Sequence, residues 1–394
     1  MPKTKSAKRR KEEIASVPYA RGFKPPTVKQ SEEAIMNKRK SSTPPVLPTH
    51  LQPSGGHFGA MRQPLCQDDW LAQYNEEGQD YAGFIQDCPW MSSRKWKIGR
   101  EQRFHSKGFN IKEKYPDGKI YLLQLGDFDK GERLYPSFQE LVKYVEIFYD
   151  LPVSEMKGVE LQKDGDDYKI VISPTAMSAS GETKKRRSSR TIRHTLQHRY
   201  NSRTRHLQLD ISSILSSLKP HLPADALFLI ALTMHDLFSD PSDLFVAGMA
   251  AGNHRVGIFS FSRYNPSISF SPENWYEIIY HDNDDEEKTE EGEGKSVILE
   301  RSCKLLVHEI GHLLGLDHCI WYECLMNGSG HLEEDFRQPM FLCPVDLHKV
   351  ETLCGFDVVS RYERLREFFK RHKMRKEETW VQGRLEFIKN GNSK

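Results

Sequence analysis

The residues of this 394-residue chain best placed to do chemistry together are His308-Glu309-Ile310-Gly311-His312-Leu313-Leu314-Gly315-Leu316-Asp317-His318. Leu305, Leu306 and Val307 before the run, and Leu313 and Leu314 within it, predict a helix passing through. On a helix, positions i and i+4 lie one turn apart on one face, so the imidazoles of His308 and His312 can reach one metal ion. Glu309 sits one residue along and can lean toward a water in an open coordination position. Gly315 can adopt the left-handed conformation that ends a helix, and the turn brings His318 round as a third nitrogen ligand. Three protein ligands plus a water is the arrangement of catalytic zinc, which lowers the water's pKa to about 7 and polarises a carbonyl. A base beside that water takes its proton as it attacks an amide. Five such fixed positions coincide by chance on the order of once in ten thousand chains of this length. Two histidines that merely share a helix face do not account for them.

The pattern H-E-x-x-H-x-x-G-x-x-H resembles that of the metzincin metallopeptidases. The residues C-terminal to it narrow the likeness: Cys319 directly after the third histidine, then Cys324, Leu325 and Met326, and Cys343 further on. This resembles the archaemetzincins, whose extended signature adds C-x4-C-x-M and a downstream C-x-x-C. The resemblance spans about residues 115–375, including Val256-Gly257-Ile258-Phe259-Ser260-Phe261 and His331-Leu332-Glu333-Glu334. It implies that His308, His312 and His318 bind a catalytic zinc, that Glu309 is the general base and that Met326 is the Met-turn residue beneath the metal. It further implies hydrolysis of peptide bonds in a peptide or protein substrate. An edge strand at Val256 to Phe261 would pair with the extended substrate by β-augmentation.

One position departs from that signature. Asp346 stands where the fourth cysteine of the second site is expected, in Cys343-Pro344-Val345-Asp346. Cys319, Cys324 and Cys343 still offer three thiolates, and carboxylate oxygen is an accepted zinc ligand. A second, structural zinc on these three cysteines and Asp346 is the expectation. His348 or Cys354 as the fourth ligand, or an empty site, are the alternatives. Cys66, Cys88, Cys303 and Cys354 are expected to be buried or free thiols. Asp317 is read either as a hydrogen-bond partner of a ligand histidine or as a solvated turn carboxylate.

Several elements must position these residues. Lys119 to Leu125 is a short β-rich run after Pro116-Asp117-Gly118, which predicts a buried strand. Ser137 and Glu140 form a capping-box pattern, with Phe138, Leu141, Val142, Val145, Phe148 and Tyr149 at helical spacing beyond the cap. Val159 to Lys163 and Tyr168 to Ile172 predict a hairpin, and Leu207 to Leu218 an amphipathic helix. Ala226 to Leu232 reads as a central strand, Leu244 to Met249 and Val256 to Phe261 as two more, and a long helix is expected from about Ser296. Strands alternating with helices give an α/β (α+β) class. With the resemblance, the expected architecture is a metzincin-like zincin domain: a mixed twisted sheet, an active-site helix and a Met-turn C-terminal subdomain.

The expected organisation is a disordered basic tail over 1–55, an irregular, partly ordered segment over 56–114, the peptidase domain over 115–380 and a tail over 381–394. Within the domain lie a basic insertion at about 180–205 and an acidic loop at about 281–295. The net charge of +2 hides this asymmetry: residues 1–50 hold twelve Lys/Arg against four Glu. Lys184 to Arg205 holds nine basic residues and no acid, and Asp282 to Glu293 holds eight acids against Lys288. Such blocks stay solvated or serve as interaction tails, and Lys184-Lys185-Arg186-Arg187 suits nuclear import.

No run approaches the roughly 18 apolar residues of a membrane span. The basic start lacks the apolar stretch of a secretory signal, so a cytoplasmic or nuclear protein is expected, not a secreted one. Seven cysteines in a reducing compartment argue against a disulfide framework. No aromatic-interleaved basic patch marks nucleic acid as the primary partner. Two rival functions remain at this point: a zinc-stabilised adaptor working through its basic segments, and a zinc hydrolase of non-peptide amides. Glu309 weighs against the adaptor, since a binding-only site needs no carboxylate beside a water.

Overall fold

The central sheet has five strands, ordered Gly248–Ala251, Val256–Ser260, Ala226–Thr233, Lys119–Gln124 and Val153–Glu155. All neighbours run parallel except Gly248–Ala251, which is antiparallel to Val256–Ser260. This is a computed structural model that describes residues 17–36, 47–91, 108–128, 134–174, 190–266, 268–270, 278–280 and 291–391.

Every residue of Ala226–Thr233 is buried, as a strand with parallel partners on both sides requires. Side-chain alternation then divides the core in two. Ile120, Leu122, Phe228, Ile230, Leu232 and Phe259 face the helices. Tyr121, Leu123, Leu229, Ala231, Val256 and Ile258 face the other side, against the hairpin Val159–Asp164/Asp167–Ile172 and the helix Ile211–Leu218. On the helical side, Phe138–Tyr149 starts with Ser137 Oγ accepting from Glu140 N at 3.4 Å and buries Leu141, Val145, Phe148 and Tyr149. It packs against the long helix Glu291–Leu313, and Tyr149 donates to Val307 O across that contact. The C-terminal helices Pro344–Cys354, Val358–Arg371 and Arg375–Gly391 complete the layer; residues 381–391, expected as a tail, are helical, with Val381, Leu385 and Ile388 buried in the core.

Several sequence expectations meet differences. Val256–Ser260 is not an edge strand: it lies between Ala226–Thr233 and Gly248–Ala251, with all five residues buried. The edge falls to Gly248–Ala251, too small in side chains to build core on both faces; the expected strand Leu244 to Met249 is thereby shifted along the chain. Leu207 to Leu218 is not one helix. Its first part is the strand His206–Asp210, and Asp210 caps the helix Ile211–Leu218 by accepting from Ser213 N at 2.7 Å.

The first 55 residues contain the helix Val28–Ala34, opened by a capping box between Thr27 and Gln30. Ile35 and Leu51 are buried in the main core. Sparse apolar residues joined the core here because a few of them sit at the right places, which composition does not register. The second half of the basic block forms the strands Ile192–Leu196 and His198–Asn201. At the acidic block the long helix begins at Glu291, ahead of Ser296. Met1 to Lys11, Lys184 to Arg187 and most of the acidic block, 282–290, lie outside the described residues.

Candidate active site and metal centres

The helix Glu291–Leu313 carries His308, Glu309 and His312, and Gly315 ends it with φ +95°. A side chain at 315 would also press on Pro89 and on Cys88 Sγ, at 3.2 and 3.3 Å. The helix's last carbonyls, orphaned by the turn, are taken by residues distant in sequence. Trp90 Nε1 donates to Leu313 O at 2.8 Å, Cys88 Sγ to Leu314 O at 3.3 Å and Gln79 Nε2 to Gly315 O at 3.1 Å. The chain then turns back and brings His318 to the other two histidines.

The three rings lie with centroids 4.8, 4.9 and 5.7 Å apart. Their hydrogen bonds decide what they can hold. His308 Nδ1 is 2.8 Å from Leu325 O and His312 Nδ1 is 2.7 Å from Leu316 O. A carbonyl only accepts, so both Nδ1 atoms carry the proton, and in neutral rings both Nε2 atoms present lone pairs. Those two Nε2 atoms are 3.1 Å apart. Two acceptors facing at that distance repel unless a cation lies between them, so the donor set fits a metal ion. Burial, and then the neighbouring histidines, hold His308 well below the usual histidine range; the same causes take His312 down to about 4. His318 Nδ1 is 3.0 Å from Glu76 Oε1.

Glu309 is half-buried. Burial, with the Asp335 charge second, pushes its carboxyl up to about 8. Met326 is fully buried beneath this helix. A Cβ at Gly311 would lie 2.6 Å from its sulfur, so glycine between the two helical histidines is what lets Met326 approach. Asp317 is exposed, and among the described residues no hydrogen bond joins its carboxylate to a histidine.

The second group comes together as well. Cys319, Cys324, Cys343 and Asp346 are all buried, with their ligand atoms within 4.8 Å of one another. Cys319 Sγ is 3.6 Å from Cys343 Sγ, and Asp346 Oδ2 is 3.1 Å from Cys324 Sγ and 3.8 Å from Cys343 Sγ. The other carboxylate oxygen, Oδ1, is 2.8 Å from Lys349 Nζ. Burial and then the Cys319 charge push the Asp346 carboxyl up to about 7, with Lys349 opposing. Three thiols and a carboxyl that water cannot reach suit a zinc ion, which binds them deprotonated. His348 is turned away, stacked on Tyr81 with Nδ1 2.7 Å from Ile35 O. Cys354 is buried outside the group.

All seven cysteines are free of disulfides. Cys88, Cys303 and Cys354 are buried, and Cys66 is partly exposed in a third group with Asp69 and His331. That group is tied together by hydrogen bonds to Asp69: Oδ1 receives Cys66 Sγ, His331 Nε2 and Arg337 Nη2, and Oδ2 receives Leu65 N. The guanidinium already supplies the positive charge.

Beside the histidines opens a cleft of about 620 Å³ lined by Glu76, Glu77, Asp80, His312, Asp317 and His318. A larger cavity of about 980 Å³, among Lys112, Glu146, Asp150 and Arg364, holds none of the motif residues. Nothing in the sequence pattern marks Glu76, Gln79 and Trp70 as site residues, because residues 56–114 have no periodicity to place them. The only hint was the density of tryptophan in a segment that otherwise reads as irregular.

Residues 275–352 match the sequence model of Peptidase family M54. Archaemetzincin-2 of Rattus norvegicus is 42% identical over 175 residues, covering 42% of this chain and 48% of the relative. The human Archaemetzincin-2 is 42% identical over 179 residues with the same coverage. The resemblance to the archaemetzincins is thereby shown. The chain spans about half the length of the curated relatives it matches. Among solved structures, a zinc-dependent peptidase from Methanocorpusculum labreanum aligns at 19% identity over 59% of this chain and 99% of that one, with a TM-score of 0.35. Among the described residues, no helix is long and apolar enough to cross a membrane.

Proposed function

We propose that this chain is a zinc metallopeptidase, with zinc held by Nε2 of His308, His312 and His318. The observation that carries the reading is the pair of Nε2 lone pairs 3.1 Å apart, each fixed by a carbonyl at Nδ1. Zinc there would acidify a water and polarise the scissile carbonyl. With the zinc charge favouring its ionised form against burial, Glu309, beside His308 on the helix, would accept the proton of the attacking water and deliver it to the leaving amine. Met326 packs under the helix between the two ligand positions and keeps their spacing. The edge strand Gly248–Ala251 lies against the long helix and has a partner on one side only among the described residues. An extended peptide adding to that edge would run beside the site.

A second zinc, structural, is proposed on Cys319, Cys324, Cys343 and Asp346. It would brace the loop that carries His318, because Cys319 is the next residue. The carboxylate of Glu309 favours hydrolysis over an adaptor role.

The test is hydrolysis of a peptide library, read by mass spectrometry, with the unmodified protein and with Glu309→Gln. Glutamine keeps the shape but accepts no proton, so cleavage should fall by about 100-fold or more while bound zinc is unchanged. Full activity in the variant would refute the proton role. Cleavage of non-peptide amides alone would move the enzyme to the rival class.

A further inference from the structure

The segment from Gly59 to Trp90 runs over the active-site loop and touches it repeatedly. Trp70 N donates to Glu334 Oε2 at 2.8 Å, fixing the segment to the stretch after the Met326 turn. Gln79 spans four partners: its side chain donates to Gly315 O and accepts from Asp317 N at 3.5 Å, and its backbone oxygen receives Trp321 Nε1 at 3.1 Å and Lys349 Nζ at 2.6 Å. Between these anchors Glu76 Oε1 receives the indole Nε1 of Trp70 at 2.6 Å and faces His318 Nδ1 at 3.0 Å. The Trp70 ring meets the His318 ring edge-on, with centroids 4.9 Å apart.

The three histidines are therefore held differently. His308 and His312 are fixed by the helix that carries them and by backbone carbonyls. His318 lies on a loop after Gly315, where no regular structure sets its ring, and its Nδ1 faces a carboxylate 242 residues away in sequence.

We propose that Glu76 is the positioning residue of the third zinc ligand. Its carboxylate accepts the Nδ1–H of His318, selects the tautomer that leaves Nε2 free, fixes the ring angle and raises the basicity of Nε2 toward the metal. Trp70 holds the same carboxylate oxygen that faces His318, so residues 70–79 belong to the active site. The proposal rests on the reading of His308, His312 and His318 as a zinc site.

The test is zinc affinity, by competition with a chromophoric chelator, on the full chain and on Glu76→Ala, Glu76→Gln and His318→Ala. The site in question is the one that His318→Ala abolishes. Glu76→Ala should weaken that site about 10–100-fold, the usual cost of losing such a partner. Glu76→Gln should fall between, because the amide oxygen still accepts the Nδ1–H without the charge. It also keeps the Trp70 bond, so it carries the test should the alanine variant fold poorly. The melting temperature of the metal-free glutamine variant should match that of the metal-free unmodified protein, and the visible spectrum of its cobalt(II) form should shift. Equal zinc affinity in the unmodified protein and the folded Glu76 variants would overturn the proposal. If the unmodified protein has no zinc site that His318→Ala removes, it is the zinc reading itself that fails.

Discussion

Lys349 Nζ lies 2.8 Å from Asp346 Oδ1, with the two side chains 1% and 0% exposed, directly beneath the three cysteines. One oxygen of the aspartate is thus held by a buried ammonium and the other is turned to the thiols. This explains how a carboxylate can stand where a cysteine is expected. Asp346→Ala takes the carboxylate away from Lys349 and from the thiols at once and leaves the buried ammonium without its counter-charge, which costs about 3–5 kcal/mol. Chemical denaturation should show that loss. Adding Lys349→Met should recover part of the stability but none of the second zinc. Asp346→Cys should retain two zinc ions per chain by metal analysis. An alanine variant of unchanged stability would show that the pair does not support the loop.

Ile35 is wholly buried although it lies in a stretch whose composition resembles a disordered tail. Ile35→Ala should cost about 2–5 kcal/mol, as for other large-to-small core changes. Its measurement is the shift in the denaturant midpoint. A change near zero would mean that the segment contributes nothing to the fold.

Asp150 caps the helix Phe138–Tyr149 in the left-handed region, φ 52°, and joins Lys112 to Arg364 at 2.6 Å. Burial alone would raise its carboxyl, but the two cations outweigh that and hold it below the usual carboxylate range. Its folded pKa therefore lies below the unfolded value of about 3.9. The stability it contributes is complete above that value and is lost as the pH falls through the folded pKa. Asp150→Asn keeps the left-handed conformation open. It should lower stability at neutral pH and flatten the acid limb of a stability–pH curve between pH 5 and 2, roughly the range over which such a group titrates. An acid limb as steep as that of the unmodified protein would show that Asp150 contributes nothing to the acid sensitivity of the fold.

How much of the molecule was legible in the sequence depended on how local each signal was. His308, His312, Gly315 and His318 lie within eleven residues, and their own spacing implies the helix and its left-handed stop. The strand Ala226–Thr233 was legible because seven apolar residues in a row, Ala226 to Leu232, leave few alternatives. The order of strands was not: Val256–Ser260 has the same apolar run whether it is central or at an edge, and its neighbour Gly248–Ala251 has too little pattern to announce itself. Glu76 was invisible for a related reason. Its role comes from a loop 242 residues away, and no periodicity connects the two.

Every role proposed for His308, His312 and His318 depends on a zinc ion at the point where they converge. Crystals of the zinc-loaded protein, with diffraction collected on either side of the zinc absorption edge, test it most directly. An anomalous peak is expected about 2.0–2.1 Å from Nε2 of each of the three histidines. A map with no peak at that point, or one in which His318 is turned away from the metal, would contradict it.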